Sequence, residues 1–488
     1  MAYTLRGDDA CQPTPPTPLP LPYWVAISPS AANLIGLELN SSKLPADEAW
    51  LDLLAGNCLK VDQIHFDHPV ATAYSGHQFG VWAGQLGDGR AILLGEIQGQ
   101  EIQLKGAGIT HYSRMGDGRA VLRSSIREFL CSEAMHSLGI PTSRALSVIG
   151  SKQSVRREKM ETAAVCSRLA PSFIRIGHFE HFASLQNSAR LKELAEMLIK
   201  YHYPQCLNTK EPFLELFRAI CSSNAKLVAH WQAVGFCHGV LNSDNISALG
   251  LTIDYGPFGF IDQFQIDHIC NHSDHAGRYA YHRQPQIMYW NMTCLASAMI
   301  PLMEIDHSEE ESQALLNSVL KDFPILYAQE WQQLFRSKLG LRSEDENDVK
   351  LIESLLQAMH NSKADFTSTF RSLSEIKKDS KIQEIRLRDQ FIHREQIEQW
   401  LHDYLLRLQS EARDDQERKV AMNLTNPKYV LRNHLAQVAI EKAQQDDFSE
   451  VAILFKILSN PFDEQAQYES YSHPPPPEMQ TIEVSCSS

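Results

Sequence analysis

Short apolar runs separated by glycine-rich turns mark the first part of the chain. Around residues 76–106, the runs FGVWAGQL, RAILLGEI and EIQLKGAG predict three short strands. The segment 119–138 repeats apolar residues such as Leu122 and Ile126 on one stripe, which predicts a helix that ends at Gly139. The runs RALSVIG and TAAVCSRLA predict further strands. This part is therefore expected to form a sheet that carries one principal helix.

Helical periodicity dominates from about residue 185 onward. The stretches ARLKELAEMLIKYHY and EPFLELFRAICSSNAKLVAHWQAVGF both have it, and after Pro285 one predicted helix follows another. The charged run 381–415 is interpreted as a helix with a solvated face, and GLTIDYG (250–256) as a short strand. The Pro-rich segments 11–22 and 471–488 are expected to be exposed spacers. The whole pattern predicts the α+β class.

Composition and charge narrow the class of protein. The 488 residues suggest about three domains, and 43% apolar with 21% charged residues is ordinary for a globular enzyme. The net charge of −14 argues against a nucleic-acid coat or a basic membrane-surface protein. No apolar run approaches the length of a membrane span. Ten dispersed cysteines without a C-x-x-C pair fit a reducing compartment, and no signal segment is recognisable, so a cytoplasmic protein is expected. The charge and the missing span predict that it has no nucleic-acid or membrane partner.

Two GDGR segments are candidates for phosphate binding. GQLGDGR (84–90) places glycines in a turn between predicted strands, and the second GDGR (116–119) stands at the start of the predicted helix. Backbone N–H groups in such turns, and at a helix N-terminus, bind anions. Neither segment is a P-loop, and a bare hairpin turn is the alternative interpretation of each. Lys105, on the strand between them, favours phosphate binding.

Lys105 has two candidate partners on the predicted helix. A strand lysine usually faces solvent, but a Lys–Glu pair from strand to helix holds a phosphate-binding lysine in kinases. Glu128 and Glu133 both lie on the helix that follows. Their spacing does not choose between them.

Arginines crowd the same region. Arg119, Arg123 and Arg127 follow at intervals of four on one helix face, with Arg114 just before them, and Arg168 and Arg175 come later in SRLAPSFIRIGHFE. Such a face repels itself unless an anion neutralises it, so it predicts a polyphosphate pocket. The alternative is that these arginines pair with scattered surface acids.

The segment HGVLNSDNISALGLTIDYG (238–256) is the strongest constellation in the sequence. It presents Asp244 and Asn245 in a loop and Asp254 before a glycine. Protein kinases hold a base and magnesium with Asp, Asn and Asp in this context, because Mg²⁺ prefers oxygen ligands. The kinase pattern requires its catalytic aspartate at position 240, which is Val240 here. Either the kinase base is missing or Asp244 does its work.

These motifs resemble the selenoprotein O family of protein adenylyltransferases, also called YdiU-type pseudokinases. The strings that carry the resemblance are YSGHQFGVWAGQLGDGRA, QLKGAGITHYSRMGDGRAVLRSSIREFL, HGVLNSDN, LTIDYGPFGF and NHSDHAGRYAY, in order from about residue 60 to 300. TNPKYVLRNHLAQ further on and the end of the chain, CSS, are also similar. Eukaryotic members carry selenocysteine where this chain has Cys486.

The resemblance implies a kinase-like bilobal fold, with a β-rich small lobe and a helical large lobe, that binds ATP in reversed orientation. It implies transfer of AMP to Ser, Thr or Tyr hydroxyls of client proteins, with Asp244 as base. Asn245 and Asp254 would bind Mg²⁺ or Mn²⁺, and Glu128 would pair with Lys105. The positions implied to contact the nucleotide are Gly87, Gly89, Arg90, Lys105, Asp117, Gly118, Glu128, Arg168, Arg175 and Asp254.

The resemblance also bears on variant activities, on a disulfide and on the division of the chain into segments. UMP transfer from UTP with Mn²⁺ is a variant that the same pocket supports, and a conventional kinase or a non-catalytic ATP-binding scaffold is the rival function. Cys486 suggests a reversible disulfide with Cys270. The expected segments are an N-terminal arm (1–60), a small lobe (61–184), a large lobe (185–305), a helical region (306–468) and a Pro-rich tail (469–488).

Overall fold

The computed structural model describes residues 7, 9–479 and 482. Its strands are β1 (Cys11–Pro13), β2 (Tyr23–Ile27), β3 (Lys60–Val61), β4 (Ile64–His65), β5 (Val70–Thr72), β6 (Ser75–Gln78), β7 (Val81–Gln85), β8 (Ala91–Ile97), β9 (Gln100–Lys105), β10 (Ala120–Val121), β11 (Arg144–Arg156), β12 (Met160–Ala170), β13 (Phe236–Cys237) and β14 (Gly259–Phe260).

Its α-helices are α1 (Pro29–Leu34), α2 (Ala49–Ala55), α3 (Leu122–Ser137), α4 (Ile176–Ser184), α5 (Ser188–Tyr201), α6 (Pro212–Ala233), α7 (Gln284–Met303), α8 (Glu309–Leu320), α9 (Phe323–Lys338), α10 (Asp348–Ser362), α11 (Phe366–Ser372), α12 (Arg394–Gln409), α13 (Asp415–Thr425), α14 (Asn433–Ala443) and α15 (Ser449–Leu458).

One antiparallel sheet organises the N-terminal part. Among the described residues its strands follow the order β1-β5-β8-β9-β12-β11-β2, with β10 paired to β12. The register places Lys105 opposite Cys166, and Gln103 opposite Arg168. Because side chains two residues apart share a face of a sheet, Lys105 and Arg168 point to the same side. Ile102 and Leu104 point to the other side, into an apolar core shared with α1 and α2.

Helix α3 lies against the strands β11 and β12 and carries both candidate glutamates. Its apolar stripe, including Ile126 and Phe129, enters the main core of the molecule. The C-terminal helices α14 and α15 return to this helix, and Phe455 of α15 lies 5.2 Å from Phe129 between ring centroids. Helix α3 therefore has the sheet on one side and the helices α14 and α15 on another.

The predicted α+β class is confirmed at the level of a mixed fold with an antiparallel sheet and many helices. The predicted helix at 119–138 is observed as α3, and the three predicted strands around 76–106 are observed as β7, β8 and β9. However, β7 pairs with β6 in a separate hairpin and does not join the main sheet.

Three expectations from the pattern are wrong. Residues 250–256 form no strand, and Asp254 adopts a left-handed backbone conformation with φ 57°. The run 381–415 is helical only from Arg394, because its earlier apolar side chains reach a core through short 3₁₀ turns. The segment 11–22 is not a free spacer, since β1 pairs with β5 and Leu19 is buried.

Candidate active site

A cleft of about 660 Å³ lies where strands of the main sheet face the segment 240–257. The residues predicted for the site that line it are Gly89, Arg90, Lys105, Asp117, Gly118, Arg168, Arg175, Asn245 and Asp254. Gly87, Glu128 and Asp244 do not line the cleft. Glu128 lies behind Lys105, and Asp244 is buried next to Asn245.

A buried network of charges forms the floor of the cleft. Lys105 Nζ lies 2.7 Å from Glu128 Oε2, and Arg168 Nη1 lies 3.0 Å from Glu128 Oε1. Arg168 Nη1 also lies 2.7 Å from Asp254 Oδ1, while Lys105 Nζ is 3.6 Å from the same oxygen. Arg175 forms an ion pair with the other oxygen of Asp254. The carboxylates of Glu128 and of Asp254 thus hold these three cations together on the floor of the cleft.

The charges around Asp254 determine its protonation. Burial alone would raise the pKa of the Asp254 carboxyl, but Arg175, Arg168 and Lys105 together hold it well below its usual range. Asp254 is therefore ionised throughout the neutral range. Its left-handed backbone is uncommon for a residue with a side chain and is typical of functional sites, where the surroundings fix it.

Asp244 lies in a tightly packed loop beside this network. A Cβ added at Gly76 would lie 3.2 Å from the Asp244 Cβ and 2.8 Å from Ser243 Oγ, so the β6 backbone approaches the loop closely. The His77 backbone N–H donates a hydrogen bond of 2.7 Å to Ser243 Oγ. The Gln78 side-chain amide donates to Asp244 Oδ2 at 3.4 Å. Hairpin β6–β7 therefore positions Asp244.

The environment of Asp244 differs from that of Asp254. Burial raises the pKa of Asp244 to about 6, against the lowering effects of Arg175 and of the Gln78 hydrogen bond. Asp244 Oδ1 is buried and has no hydrogen-bond partner among the described residues. A carboxyl with a raised pKa and an unpaired oxygen is suited to accept a proton near neutral pH.

Asp117 and Gly118 form the rim of the cleft. A Cβ added at Gly118 would lie 1.9 Å from Gly108 O, and φ here is 67°, so only glycine fits this close approach. Asp117 is held by two hydrogen bonds of 2.9 Å from Arg157. That hydrogen-bonded pair holds the pKa of Asp117 below its usual range. Strand β10 separates this loop from α3, so the prediction that it opens the helix directly is wrong.

The predicted arginine face does not form a polyphosphate pocket. Arg123 lies 2.9 Å from Glu161, and Arg127 donates to Phe258 O at 2.9 Å, so both point away from the cleft. Arg119 alone of the three lines it, and its guanidinium donates to Thr17 O and Pro18 O. The alternative, pairing with surface acids, does not hold for Arg119 and Arg127, which donate to uncharged groups; Arg123 does pair with an acid, but Glu161 is buried. Arg168 and Arg175, which also belong to the prediction, do line the cleft and supply its buried positive charge.

The two candidate glutamates of α3 are now distinguished. Glu128 pairs with Lys105, while Glu133 lies 2.7 Å from Arg144 and accepts a hydrogen bond of 2.5 Å from Ser28 Oγ. Both carboxylates are buried. They lie five residues apart on one helix, so they face different partners.

Several lining residues were missed by the sequence analysis. Asp88 is buried in the middle of the first GDG segment, and its carboxylate accepts hydrogen bonds from the Thr72 N–H and hydroxyl. Asn242 accepts a hydrogen bond of 2.5 Å from the Tyr279 hydroxyl. Gln78 and Arg157 also line the cleft. Asp88 lies within the first GDG motif, so the sequence could have indicated it as a site residue. No motif surrounds Arg157, so the sequence could not.

The predicted Cys270–Cys486 disulfide falls on Cys486, which lies outside the described residues. Cys270 is half-buried, and its Sγ donates to Pro257 O at 2.8 Å. Burial raises the pKa of the Cys270 thiol well above its usual value. Within the described part of the chain all cysteines are free thiols.

Comparison with known proteins identifies the chain. The family model described as protein adenylyltransferase SelO matches residues 6–459. A protein nucleotidyltransferase YdiU of Cupriavidus metallidurans is 53% identical over 484 residues, which cover 97% of this chain and 88% of the relative. A protein of the same name from Burkholderia ambifaria is 51% identical over 499 residues, covering 100% and 95%. Another from Burkholderia cenocepacia is 52% identical over the same length.

These matches place the protein in the class of protein nucleotidyltransferases, and the buried Lys–Glu pair beside an acidic loop is consistent with that class. The chain belongs to the SelO protein adenylyltransferase family. The resemblance drawn from the motifs is therefore confirmed. In the described part of the structure, no helix combines the length and the apolar character that a membrane span requires.

Proposed function

We propose that the cleft binds ATP and that the protein transfers AMP from it to Ser, Thr or Tyr hydroxyls of client proteins, releasing pyrophosphate. The observation that carries the proposal is the network in which Lys105 pairs with Glu128 while Arg168 and Arg175 hold Asp254. A lysine paired with a helix glutamate is how protein kinases hold nucleotide phosphates. We also propose the kinase-like bilobal arrangement that the family resemblance implies.

The phosphate groups are proposed to lie against Lys105, Arg168 and Arg175. Their side chains are nearly buried, so their charges act in a site with little water, where electrostatic attraction is strong. Gly89 and Gly118 of the two GDG segments line the cleft, where their backbone can contact the nucleotide. Gly87, Arg90 and Asp117 complete the proposed nucleotide site, as the family resemblance implies.

Asn245 and Asp254 are proposed to bind Mg²⁺ or Mn²⁺. The donor set fits, because both side chains line the cleft and offer oxygen atoms, which these hard cations prefer. The Asn245 side-chain N–H donates to Val240 O at 3.3 Å, which fixes the orientation of the amide. When bound, the ion would neutralise negative charge on the phosphates.

The residues of the chain itself account for the rest of the proposed reaction. Asp244 accepts the proton of the attacking hydroxyl, the oxygen forms a bond to the α-phosphorus, and the bond from that phosphorus to the bridging oxygen breaks. The electron pair leaves with pyrophosphate, whose charge Arg168 and Arg175 stabilise. Preorganised cations are effective here because they need not reorient during the reaction.

A conventional kinase and an ATP-binding scaffold were the rival functions in the sequence analysis, and membership of the adenylyltransferase family favours nucleotidyl transfer over both. Val240 lines the cleft where the kinase pattern would place its base, which disfavours transfer of the γ-phosphate. The raised pKa of Asp244, near 6, supports a working base, which a scaffold does not need. UMP transfer with Mn²⁺, the five predicted segments, the cytoplasmic location and the Cys270–Cys486 disulfide stay predictions.

Labelled ATP distinguishes the three functions directly. Purified protein is incubated with a generic acceptor protein, Mg²⁺ or Mn²⁺, and ATP labelled at either the α- or the γ-phosphorus. We expect label on the acceptor from the α position only, since AMP keeps that phosphorus. Label from the γ position would make the protein a kinase. ATP binding without label on the acceptor from either position would mean that the protein is a non-catalytic ATP-binding scaffold.

The proposed base also predicts the pH dependence of transfer. Asp244 must be ionised to accept a proton, and its pKa is raised to about 6. The value of kcat/KM is therefore expected to fall as the pH is lowered through about 6 and to level off above it. Gln78→Leu removes a hydrogen bond that lowers this pKa, so its acid limb should move to higher pH.

Transfer rates are measured from pH 5 to 8.5 for the wild type and this variant. Arg123→Gln is a suitable control, since Arg123 points away from the cleft. An acid limb that stays in place in Gln78→Leu would mean that another group titrates.

A further inference from the structure

Three side chains with metal-binding atoms converge outside the cleft. His77 of β6, Glu180 of α4 and Cys294 of α7 place an imidazole nitrogen, a carboxylate oxygen and a sulfur within 4.8 Å of one another. His77 Nδ1 already lies 2.7 Å from Glu180 Oε1. The proposed reaction uses none of these three groups.

Glu180 is the buried member of this group. Its side chain is 4% exposed, and its second oxygen, Oε2, has no hydrogen-bond partner of normal geometry among the described residues. Burial raises the pKa of Glu180, and the nearby Ser243 hydroxyl and His77 lower it. A buried carboxylate oxygen without a well-aligned hydrogen bond carries a desolvation cost that a cation would reduce.

The surroundings of His77 leave a path for an ion. The rings of Trp82 and Trp290 stand edge-on to the imidazole, with centroid distances of 5.1 and 5.2 Å. The His77 side chain is 26% exposed, and Cys294 is half-buried. The Arg278 guanidinium lies 4.7 Å from the centroid of the Trp290 ring, so one cation stands beside these rings. The exposed part of His77 leaves the site open to solvent, as metal sites with an exchangeable position are.

We propose that His77, Glu180 and Cys294 bind a zinc ion, with water in the fourth position. Nitrogen, oxygen and thiolate sulfur together suit Zn²⁺, whereas Mg²⁺ prefers oxygen ligands alone. The Cys294 thiol gives its proton to solvent when its sulfur binds the ion. The charges of thiolate and carboxylate then balance the charge of the ion.

This zinc site would act on the loop of Asp244 through the backbone. The His77 N–H donates to Ser243 Oγ, and Gln78, the next residue, donates to Asp244. An ion that joins β6 to α4 and α7 would fix the strand that holds this loop. The proposal does not depend on the proposed transfer, because binding is measured without nucleotide.

Zinc binding is tested on the full-length protein stripped of metal. Zn²⁺ is titrated in competition with a chromophoric chelator, and Co²⁺ is added separately as a spectroscopic probe. We expect one equivalent of Zn²⁺ to bind, and Co²⁺ to give a near-ultraviolet thiolate-to-metal absorption band. In Cys294→Ser and Glu180→Gln the affinity should fall by at least about 100-fold, since outer-shell changes alone cost about 10- to 100-fold. The cobalt band should be absent in Cys294→Ser.

Two control variants separate this site from other metal binding. Cys58 is also half-buried but lies far along the chain, so Cys58→Ser should keep zinc affinity and the cobalt band. Asp254→Asn should also keep both, since its oxygens belong to the cleft. Far-ultraviolet circular dichroism checks that each variant is folded. Weak zinc binding by the wild type, or equal binding by folded Cys294→Ser, would overturn the proposal.

Discussion

Asp254→Asn is expected to lower nucleotidyl transfer by about 100- to 1000-fold, as losses of preorganised charge in active sites do. The substitution keeps the shape of the side chain but removes the charge that Arg168, Arg175 and Lys105 share. It also replaces one carboxylate oxygen of the proposed metal site by an amide nitrogen. The rate of AMP transfer to a generic acceptor protein measures the effect.

Loss of an ion pair also weakens folding, so this variant needs a matched control. Asp262 is exposed to a similar degree as Asp254, 22% against 20%, and pairs with the buried Arg432 away from the cleft. Asp262→Asn likewise removes a carboxylate that pairs with a buried arginine, yet transfer should continue below the melting temperature of that variant. If Asp254→Asn kept more than a third of wild-type activity, the assigned role of Asp254 would be wrong.

Glu128→Gln is expected to reduce kcat/KM for ATP by at least about 100-fold. The carboxylate holds Lys105 at 2.7 Å and Arg168 at 3.0 Å, and a neutral amide cannot balance both cations. Without that charge the two side chains repel each other and leave the positions in which they face the nucleotide. Steady-state kinetics with varied ATP measures the change.

Glu133→Gln is the matched control on the same helix. Glu133 is buried to nearly the same extent, 4% against 3% exposed, and pairs with Arg144 on the side away from the cleft. Breaking either buried pair should cost about 3 kcal/mol of unfolding free energy, which thermal or urea unfolding measures. Only Glu128→Gln should lose kcat/KM, and equal losses in both variants would reduce the role of Glu128 to stability.

The sequence predicted those elements whose signal is local. The strand that carries Lys105 and the helix that carries Glu128 both follow from periodicity and turn residues. The strand predicted through Asp254 failed because this segment pairs at a single point, Thr252 with Thr142, while its apolar residues are buried by tertiary packing. Apolar runs of that length do not distinguish a strand from a buried loop.

The other differences between the predicted and the observed site arise because side chains there bind partners from distant parts of the chain. The helical spacing of Arg123 and Arg127 was correct, but the groups that bind them, Glu161 and Phe258 O, come from elsewhere. The choice between Glu128 and Glu133 likewise depended on where β11 brings Arg144. Spacing along one helix fixes a face, whereas the chemistry of that face depends on what the fold places opposite it.

The packing of α14 and α15 against α3 limits how far the chain can be truncated from its C-terminal side. The residues of the proposed nucleotide, metal and base sites lie between positions 87 and 254, yet α3, the helix that carries Glu128, packs against Phe455 of α15. A fragment that ended near residue 305 would expose Phe129 to water and leave Arg127 without Asn433. A minimal catalytic version of this chain must therefore retain α14 and α15, although neither helix lines the cleft.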